Sequence, residues 1–294
     1  NTYQKLKKLI KENYPNYLGL WDRAEEENSD EWLDEFSYHI DMVFGNYADK
    51  GLSEAADGYA EFCTEAIRSQ LYFERHGTYQ ASSYQDVLET CYQSEDYMDR
   101  RYLPGQFLSH YVWPHHRLML RGFVNYFIKK IGDIQSFYEV GVGCGMYSLK
   151  VLEQFPLSFG KGFDISQYAL DFTKRVVDSH GLGKNYSIHN KDIIADPPHE
   201  KCNFVVSQEV LEHLEDPLAF VKSLRAITQS GGFGYITAAI NAGHTDHIYL
   251  YRTAEEVSLQ LTEAGWSIID QQVECNYPEK PTDMRPTVAG FLVQ

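Results

Sequence analysis

A chain of 294 residues that is 43% hydrophobic and 14% aromatic can bury one substantial core plus a smaller appended unit, and is too apolar to be disordered. Its 42 acidic against 26 basic residues leave a formal charge of −16, which repels phosphate backbones and anionic lipid and argues against nucleic acid or a membrane as partner. Five scattered cysteines without close pairs (Cys63, Cys91, Cys144, Cys202, Cys275) suggest neither a disulfide framework nor a zinc knuckle, and fit a reducing, cytoplasmic setting.

The N-terminal stretch "NTYQKLKKLIKENY" is amphipathic and of mixed charge, so it reads as neither a signal peptide nor a membrane span. The chain begins at Asn1 rather than Met, which leaves open a domain cut from a longer protein. Residues 1–117 carry helical spacing in "KLKKLIKEN", "DEWLDEFSYHIDMVF", "LSEAADGYAEFCTEAIRSQLYF" and "SYQDVLETCYQ", with Asp30 and Ser53 as expected N-caps. The segment "SEDYMDRRYLPGQFLSHYVWPHH" is the least regular, and interruptions are expected at Pro104, Gly105 and Pro114. This half reads as an all-helical lid packed over whatever follows.

From about residue 118 the pattern becomes alternation of helices and short apolar strands. The predicted strands are "SFYEVGVG", "GKGFDIS", "NYSIHNKDI", "CNFVVSQEV", "GGFGYITAAIN", "SIIDQQVECNY" and "TVAGFLVQ". Helices separate the first six, except between the third and fourth, whereas the last two are joined by a Pro-containing loop. The expected fold over 118–294 is therefore α/β, a doubly wound, mostly parallel seven-stranded sheet with an antiparallel hairpin at one edge.

The first strand runs into "GVGCG". Gly141, Gly143 and Gly145 let a ligand approach the backbone, and the next helix offers free N–H groups. Asp164 lies 23 positions after Gly141, at the end of the second strand, where a carboxylate accepts both hydroxyls of an adenosine ribose. This fits a dinucleotide or another adenosine cofactor. The loop is GxGxG rather than GxGxxG, however, and Glu139 precedes it. A carboxylate there suits a cofactor bearing an amine and a sulfonium better than a pyrophosphate.

With "YEVGVGCG", "GKGFDIS", "KDII", "FVVSQEVLEHLEDP" and "SGGFGYIT" in this order, the chain from about Phe123 to Gln294 resembles the class I S-adenosylmethionine-dependent methyltransferases of small-molecule type. The resemblance implies S-adenosylmethionine as cofactor. Gly141 and Gly143 would approach its methionine part, and Glu139 would hold the amino group directly or through water. Asp164 would take the ribose, with Ile165 packed on adenine, Asp192 accepting from the adenine amine and Ile193 beside it. Gln208 would face the methyl and the acceptor, while His213 and the acids of "LEHLEDP" would support the loop without doing chemistry.

Methyl transfer requires alignment, exclusion of water and, for a hydroxyl or carbon acid, removal of a proton. His244 and His247 in "INAGHTDHIYLYR" are the candidate bases. Together with Gln208 they are also a candidate divalent-metal set, useful if an enolate must be stabilised. Tyr102, Trp113 and His116 are expected to line the acceptor pocket, whereas Tyr14, Tyr17, Phe36, Phe44 and Phe62 are expected to be mostly packing. The expected reaction is methyl transfer to a small molecule, free or carrier-tethered, with oxygen favoured over carbon. The alternatives are a nicotinamide-dependent oxidoreductase using the same loop and a cofactor-binding protein without turnover.

Overall fold

The computed structural model describes residues 2–45, 48–81 and 83–294. Seven strands form one sheet: β1 Ser136–Val140, β2 Phe159–Asp164, β3 Tyr186–Asn190, β4 Cys202–Ser207, β5 Thr228–Ile240, β6 Ile268–Cys275 and β7 Thr287–Val293. Their order is β3-β2-β1-β4-β5-β7-β6. β1 to β5 pair in parallel, and β7 runs antiparallel to both β5 and β6. The doubly wound core and the antiparallel edge are those expected from the alternation of elements.

The strand order reverses between β1 and β4, so the crevice for a ligand opens where Val140 meets Ser207. Period-two alternation sends Tyr138 and Val140 to one face and Phe137 and Glu139 to the other. On the first face the core contains Val205, Ile236, Phe220, Val221 and Trp266. The helices there are α9 Pro217–Ala226, capped by Asp216, whose side chain accepts from Ala219 N, and α10 Ala254–Glu263, opened by a Thr253/Glu256 capping box.

The other face carries α7 Met146–Gln154 and α8 Gln167–Ser179, and over these lies the helical N-terminal region. That region consists mainly of α1 Thr2–Asn13, α2 Leu18–Glu26, α3 Asp30–Phe44, α4 Ala48–His76, α5 Leu103–Val112 and α6 Pro114–Gly122. One continuous core runs from Tyr3, Phe36 and Phe107 through to Leu149, Phe172 and Val176. Rings of Phe44 and Phe107 pack on Phe172, and each phenylalanine so buried contributes about 1.5–3 kcal/mol. A polar clasp reinforces the seam. The buried Lys150 ammonium lies 2.5 Å from Glu35 and 2.9 Å from Glu153, and His39 Nδ1 is 2.7 Å from His180 Nε2.

Three local expectations are corrected. Asp30 is the first residue of α3 rather than its cap, which is Ser29, and Ser53 lies inside α4. Pro104 and Gly105 do not interrupt the chain. A π-helical turn, Met98–Tyr102, leads into α5, and its wider hydrogen-bond spacing accommodates the missing N–H of Pro104. Gly105 is needed for contact, because a Cβ there would stand 2.3 Å from the Phe62 Cβ of α4. The break at Pro114 is real: Trp113 is extended, as a residue before proline must be. Among the described residues no helix is long and apolar enough to cross a membrane.

Candidate active site

The loop after β1 has left-handed backbone at Gly141 (φ +76°), Gly143 (φ +48°) and Gly145 (φ +73°). A Cβ on Gly141 would meet Val210 Cγ2 at 2.3 Å, and one on Gly143 would meet Gln106 Oε1 at 2.6 Å. The glycines therefore serve both backbone conformation and close approach. Gly143→Val is expected to abolish measurable S-adenosylhomocysteine binding while leaving the far-ultraviolet circular dichroism unchanged. Wild-type affinity in that variant would show that the loop tolerates bulk.

Asp164, at the carboxyl end of β2, accepts from Ser166 N at 2.8 Å and from Gly143 N at 3.4 Å. Burial pushes its carboxyl up to about 6 against the pull of these amides. A cavity of about 270 Å³ opens beside it, lined by Gly141, Gly143, Asp164, Ile165, Asp192, Ile193 and Gln208. Seven of the residues expected to contact cofactor are thus brought together. Ile193 is buried, and the exposed Asp192 accepts from Ile194 N at 2.8 Å.

Glu139 lies elsewhere. It is 1% exposed beneath the loop, outside the cavity lining, and its Oε2 accepts from Ser148 N, in the first turn of α7, at 2.8 Å. A carboxylate suits a helix N-terminus. Burial nonetheless pushes it from the ordinary value of 4.5 up to about 8, opposed by Ser148 and aided by Asp164. The folded chain therefore binds this proton more tightly than the unfolded chain. The stability from this site is full below about pH 4.5 and is lost as pH rises towards 8. Glu139→Gln is expected to keep the Ser148 bond and flatten that part of the decline in thermal midpoint. A decline identical to wild type would remove Glu139 as its source.

A second cavity, of about 190 Å³, lies under the helical region. Tyr102, Trp113 and His116 line it as expected. Tyr17 and Phe62, expected to be packing, line it too, with the Phe62 ring 5.4 Å from that of His244. Phe36 and Phe44 are core. The two cavities share Tyr102, Gln106, Gln208, Glu209 and His213.

On the floor of the second cavity His244 and His247 come together, with ring centroids 5.6 Å apart. His244 Nδ1 is 2.7 Å from Asp246 Oδ1, and since a carboxylate only accepts, Nδ1 carries the hydrogen and Nε2 is left without a partner among the described residues. His247 Nδ1 donates to the Ala242 carbonyl at 2.7 Å. His213 Nδ1 lies 2.9 Å from Tyr92 Oη and 3.4 Å from Asp246 Oδ2. Burial alone would raise the fully buried Asp246, but His213, His244 and His247 hold it well below the carboxylate range. Burial opposes a charge on His244, yet Asp246 overrides it and raises the imidazole. His247 is pushed well down by burial and by His213.

Several residues of this site were not anticipated from sequence. Glu209 has a left-handed backbone (φ +48°), with its N–H donating to Thr237 Oγ1 at 2.8 Å and its carboxylate accepting from Gln208 Nε2 at 2.7 Å. Glu212 is fully buried, and neither carboxylate oxygen has a hydrogen-bond partner among the described residues. Burial and Glu209 push its acid well up. His213, expected only to support the loop, lines both cavities. Gln106 reaches the glycine loop from α5, accepting from Cys144 N at 2.9 Å. The adjacent "QEVLEH" run was the available signal for the first three. Gln106 carried no signal of its own.

A seven-stranded sheet with a glycine cradle and a carboxylate at the end of the second strand is the arrangement of an adenosine-cofactor-binding α/β fold. Residues 138–236 match the methyltransferase domain family. The chain is 27% identical over 106 residues to a malonyl-[acyl-carrier protein] O-methyltransferase of Ilyobacter polytropus, covering 36% of this chain and 40% of that protein. The chain thus spans less than half the length of this curated relative. Among solved structures, the mitomycin 7-O-methyltransferase MmcR superposes with a TM-score of 0.55 at 11% identity, over 83% of this chain and 70% of that one. The N-methyltransferase NodS from Bradyrhizobium japonicum, solved with S-adenosylhomocysteine, gives 0.52 at 18% identity, over 72% and 98%. At such identities these likenesses bear on the fold.

Proposed function

We propose that this protein transfers the methyl group of S-adenosylmethionine to a small-molecule acceptor, free or carrier-tethered, with oxygen favoured over activated carbon as the attacked atom. The observation that carries the reading is the junction of the two cavities at Gln208 and Glu209, with the glycine loop and Asp164 on one side and the His244–Asp246 pair on the other. The glycine cradle and the Asp164 lone pairs fit an adenosine cofactor, and the GxGxG spacing of the loop, where dinucleotide sites carry GxGxxG, favours S-adenosylmethionine.

Bound cofactor supplies an electrophilic methyl on sulfur. Asp164 accepts the ribose hydroxyls, and Asp192 and Ile193 meet the adenine. Residues 1–117 act as the lid: Tyr102, Trp113 and His116 cover the acceptor and keep water out. As the acceptor oxygen attacks, an O–C bond forms and the C–S bond breaks, leaving a neutral thioether. The hydroxyl proton passes to His244 Nε2. Asp246, bonded to Nδ1, fixes the tautomer that presents a free Nε2 and stabilises the imidazolium that results.

A metal-assisted variant is favoured by one observation, the unpartnered buried atoms on this floor. His244, Asp246 and His247, and separately Glu212, His213 and His247, present candidate ligand atoms within 4.8 Å of one another. His247 offers Nε2 because Nδ1 is tied to Ala242, a form of anchoring common to metal-bound histidines. With Gln208 on the same cavity wall, such a set would hold a divalent ion able to stabilise an enolate, which would shift the preferred acceptor from oxygen to a carbon acid. The five unpaired cysteines are compatible with a reducing, cytoplasmic setting, and the net acidity supports a partner other than nucleic acid.

The test is transfer of labelled methyl from S-adenosylmethionine to a panel of phenols, alcohols and β-carbonyl carbon acids, offered free and as phosphopantetheine thioesters, with and without added divalent metal. Label in an O-methyl product supports the lead reading. Label only on carbon, and only with metal, would replace it by the second. A chain that binds cofactor but labels nothing across the panel would favour the non-catalytic alternative.

A further inference from the structure

The helical region places one side chain on the glycine loop itself. Gln106 extends from α5 so that its Oε1 accepts from Cys144 N at 2.9 Å and fills the space a Cβ at Gly143 would need. The amide orientation follows from chemistry. A backbone N–H can only donate, so the carbonyl oxygen must face Cys144 and the NH₂ must face away. No partner for that NH₂ occurs among the described residues, and Gln106 lines both cavities. Its position is fixed from behind, because the neighbouring Gly105 is packed against Phe62 of α4.

The charges around the cofactor cavity give that NH₂ a task. The carboxyl groups around the loop are Glu139 beneath it, Asp164, which accepts from Gly143 N, and Glu209 in the cavity lining. The lysine that lines the cavity, Lys191, is next to Asp192 at the far end and is paired with Asp196 at 2.6 Å. An amino-acid carboxylate seated against the loop therefore meets no arginine or lysine among the described lining residues. Apart from the His213 imidazole, that leaves neutral donors to hold it.

We propose that Gln106 is a cofactor-binding residue contributed by the helical region, donating its side-chain NH₂ to the carboxylate of the cofactor's amino-acid part. This rests on the S-adenosylmethionine reading above. It also makes α5 sensitive to cofactor, since Gln106 and Tyr102, one turn apart, border the acceptor cavity as well. Cofactor binding then fixes the wall of the acceptor site before the acceptor enters.

The test compares two ligands by calorimetry: S-adenosylhomocysteine, and 5′-methylthioadenosine, which keeps the adenosine and the thioether but lacks the amino-acid part. Gln106→Leu is expected to weaken the first about tenfold and leave the second unchanged, because one hydrogen bond to a charged group is lost. Gln106→Glu should weaken the first further by repulsion and again spare the second. Equal weakening of both ligands, or unchanged affinity for the first, would overturn the assignment. Retained 5′-methylthioadenosine binding in the same variants shows that the site is folded. A wild-type chain that binds neither ligand would bring down the cofactor reading and this proposal with it. As an independent readout, amide exchange across Leu103–Val112 should slow with S-adenosylhomocysteine and not with 5′-methylthioadenosine, and equal slowing by both would contradict the proposal.

Discussion

Asp164→Ala is expected to weaken S-adenosylhomocysteine binding about 100-fold. The carboxylate lies at the mouth of the crevice between strands, already oriented by Ser166 N at 2.8 Å and by the glycine loop. Hydrogen bonds to a charged acceptor contribute roughly 1.5–3 kcal/mol each, and a ribose offers two donors. Truncation also leaves the amide of Ser166 without its acceptor. Burial pushes the Asp164 acid up to about 6, so the ionised form that accepts both hydroxyls is complete only above that pH. Affinity should therefore be constant at neutral pH and fall as pH drops through about 6. Asp164→Asn should bind weakly at every pH, without that inflection. Calorimetry from pH 5 to 8 checks both statements, and an unchanged affinity in the alanine variant would refute the ribose assignment.

His244→Ala is expected to lower turnover 10²- to 10⁴-fold, the usual range for loss of a positioned general base, while leaving affinity for S-adenosylhomocysteine unaltered. The imidazole belongs to the acceptor cavity and is absent from the cofactor cavity lining, so the two effects separate. Asp246→Asn should act in the same direction. An amide can donate to Nδ1, which moves the imidazole hydrogen to Nε2 and removes the acceptor of the substrate proton. Both variants are to be measured with an acceptor found in the labelled-methyl panel. Wild-type turnover in His244→Ala would exclude it as the base. Loss of turnover restored by excess divalent metal would instead favour the ligand role.

The cofactor half of the site was legible because its residues sit in local motifs at the ends of successive strands. Gly141, Gly143, Asp164, Ile165, Asp192 and Ile193 need only strand–loop–helix grammar to be placed, and parallel register brings those ends together. Glu139 shows the limit of that grammar. Its position in the strand was readable, but period-two alternation turns it beneath the loop, where a helix amide takes it. The acceptor half was less legible. Tyr17, Phe62, Tyr102, Gln106 and His116 belong to different helices or to the segments between them, and only tertiary packing selects which side chains turn inward. Phe62 has the same apolar spacing as Phe36 and Phe44, yet only Phe62 faces His244. Pro104 looked like a break because a π-helical turn, which spends one extra residue, leaves no mark in apolar periodicity. Glu209 reaches the junction of the two cavities on a left-handed backbone that residue type alone does not announce.

The most direct measurement is a calorimetric titration of the purified chain with S-adenosylhomocysteine, run beside reduced nicotinamide cofactor. Micromolar binding of the former alone is the predicted result. Absence of that binding, with clear binding of the nicotinamide, would mean that the glycine loop cradles a pyrophosphate, and would contradict the assignment of this site to S-adenosylmethionine.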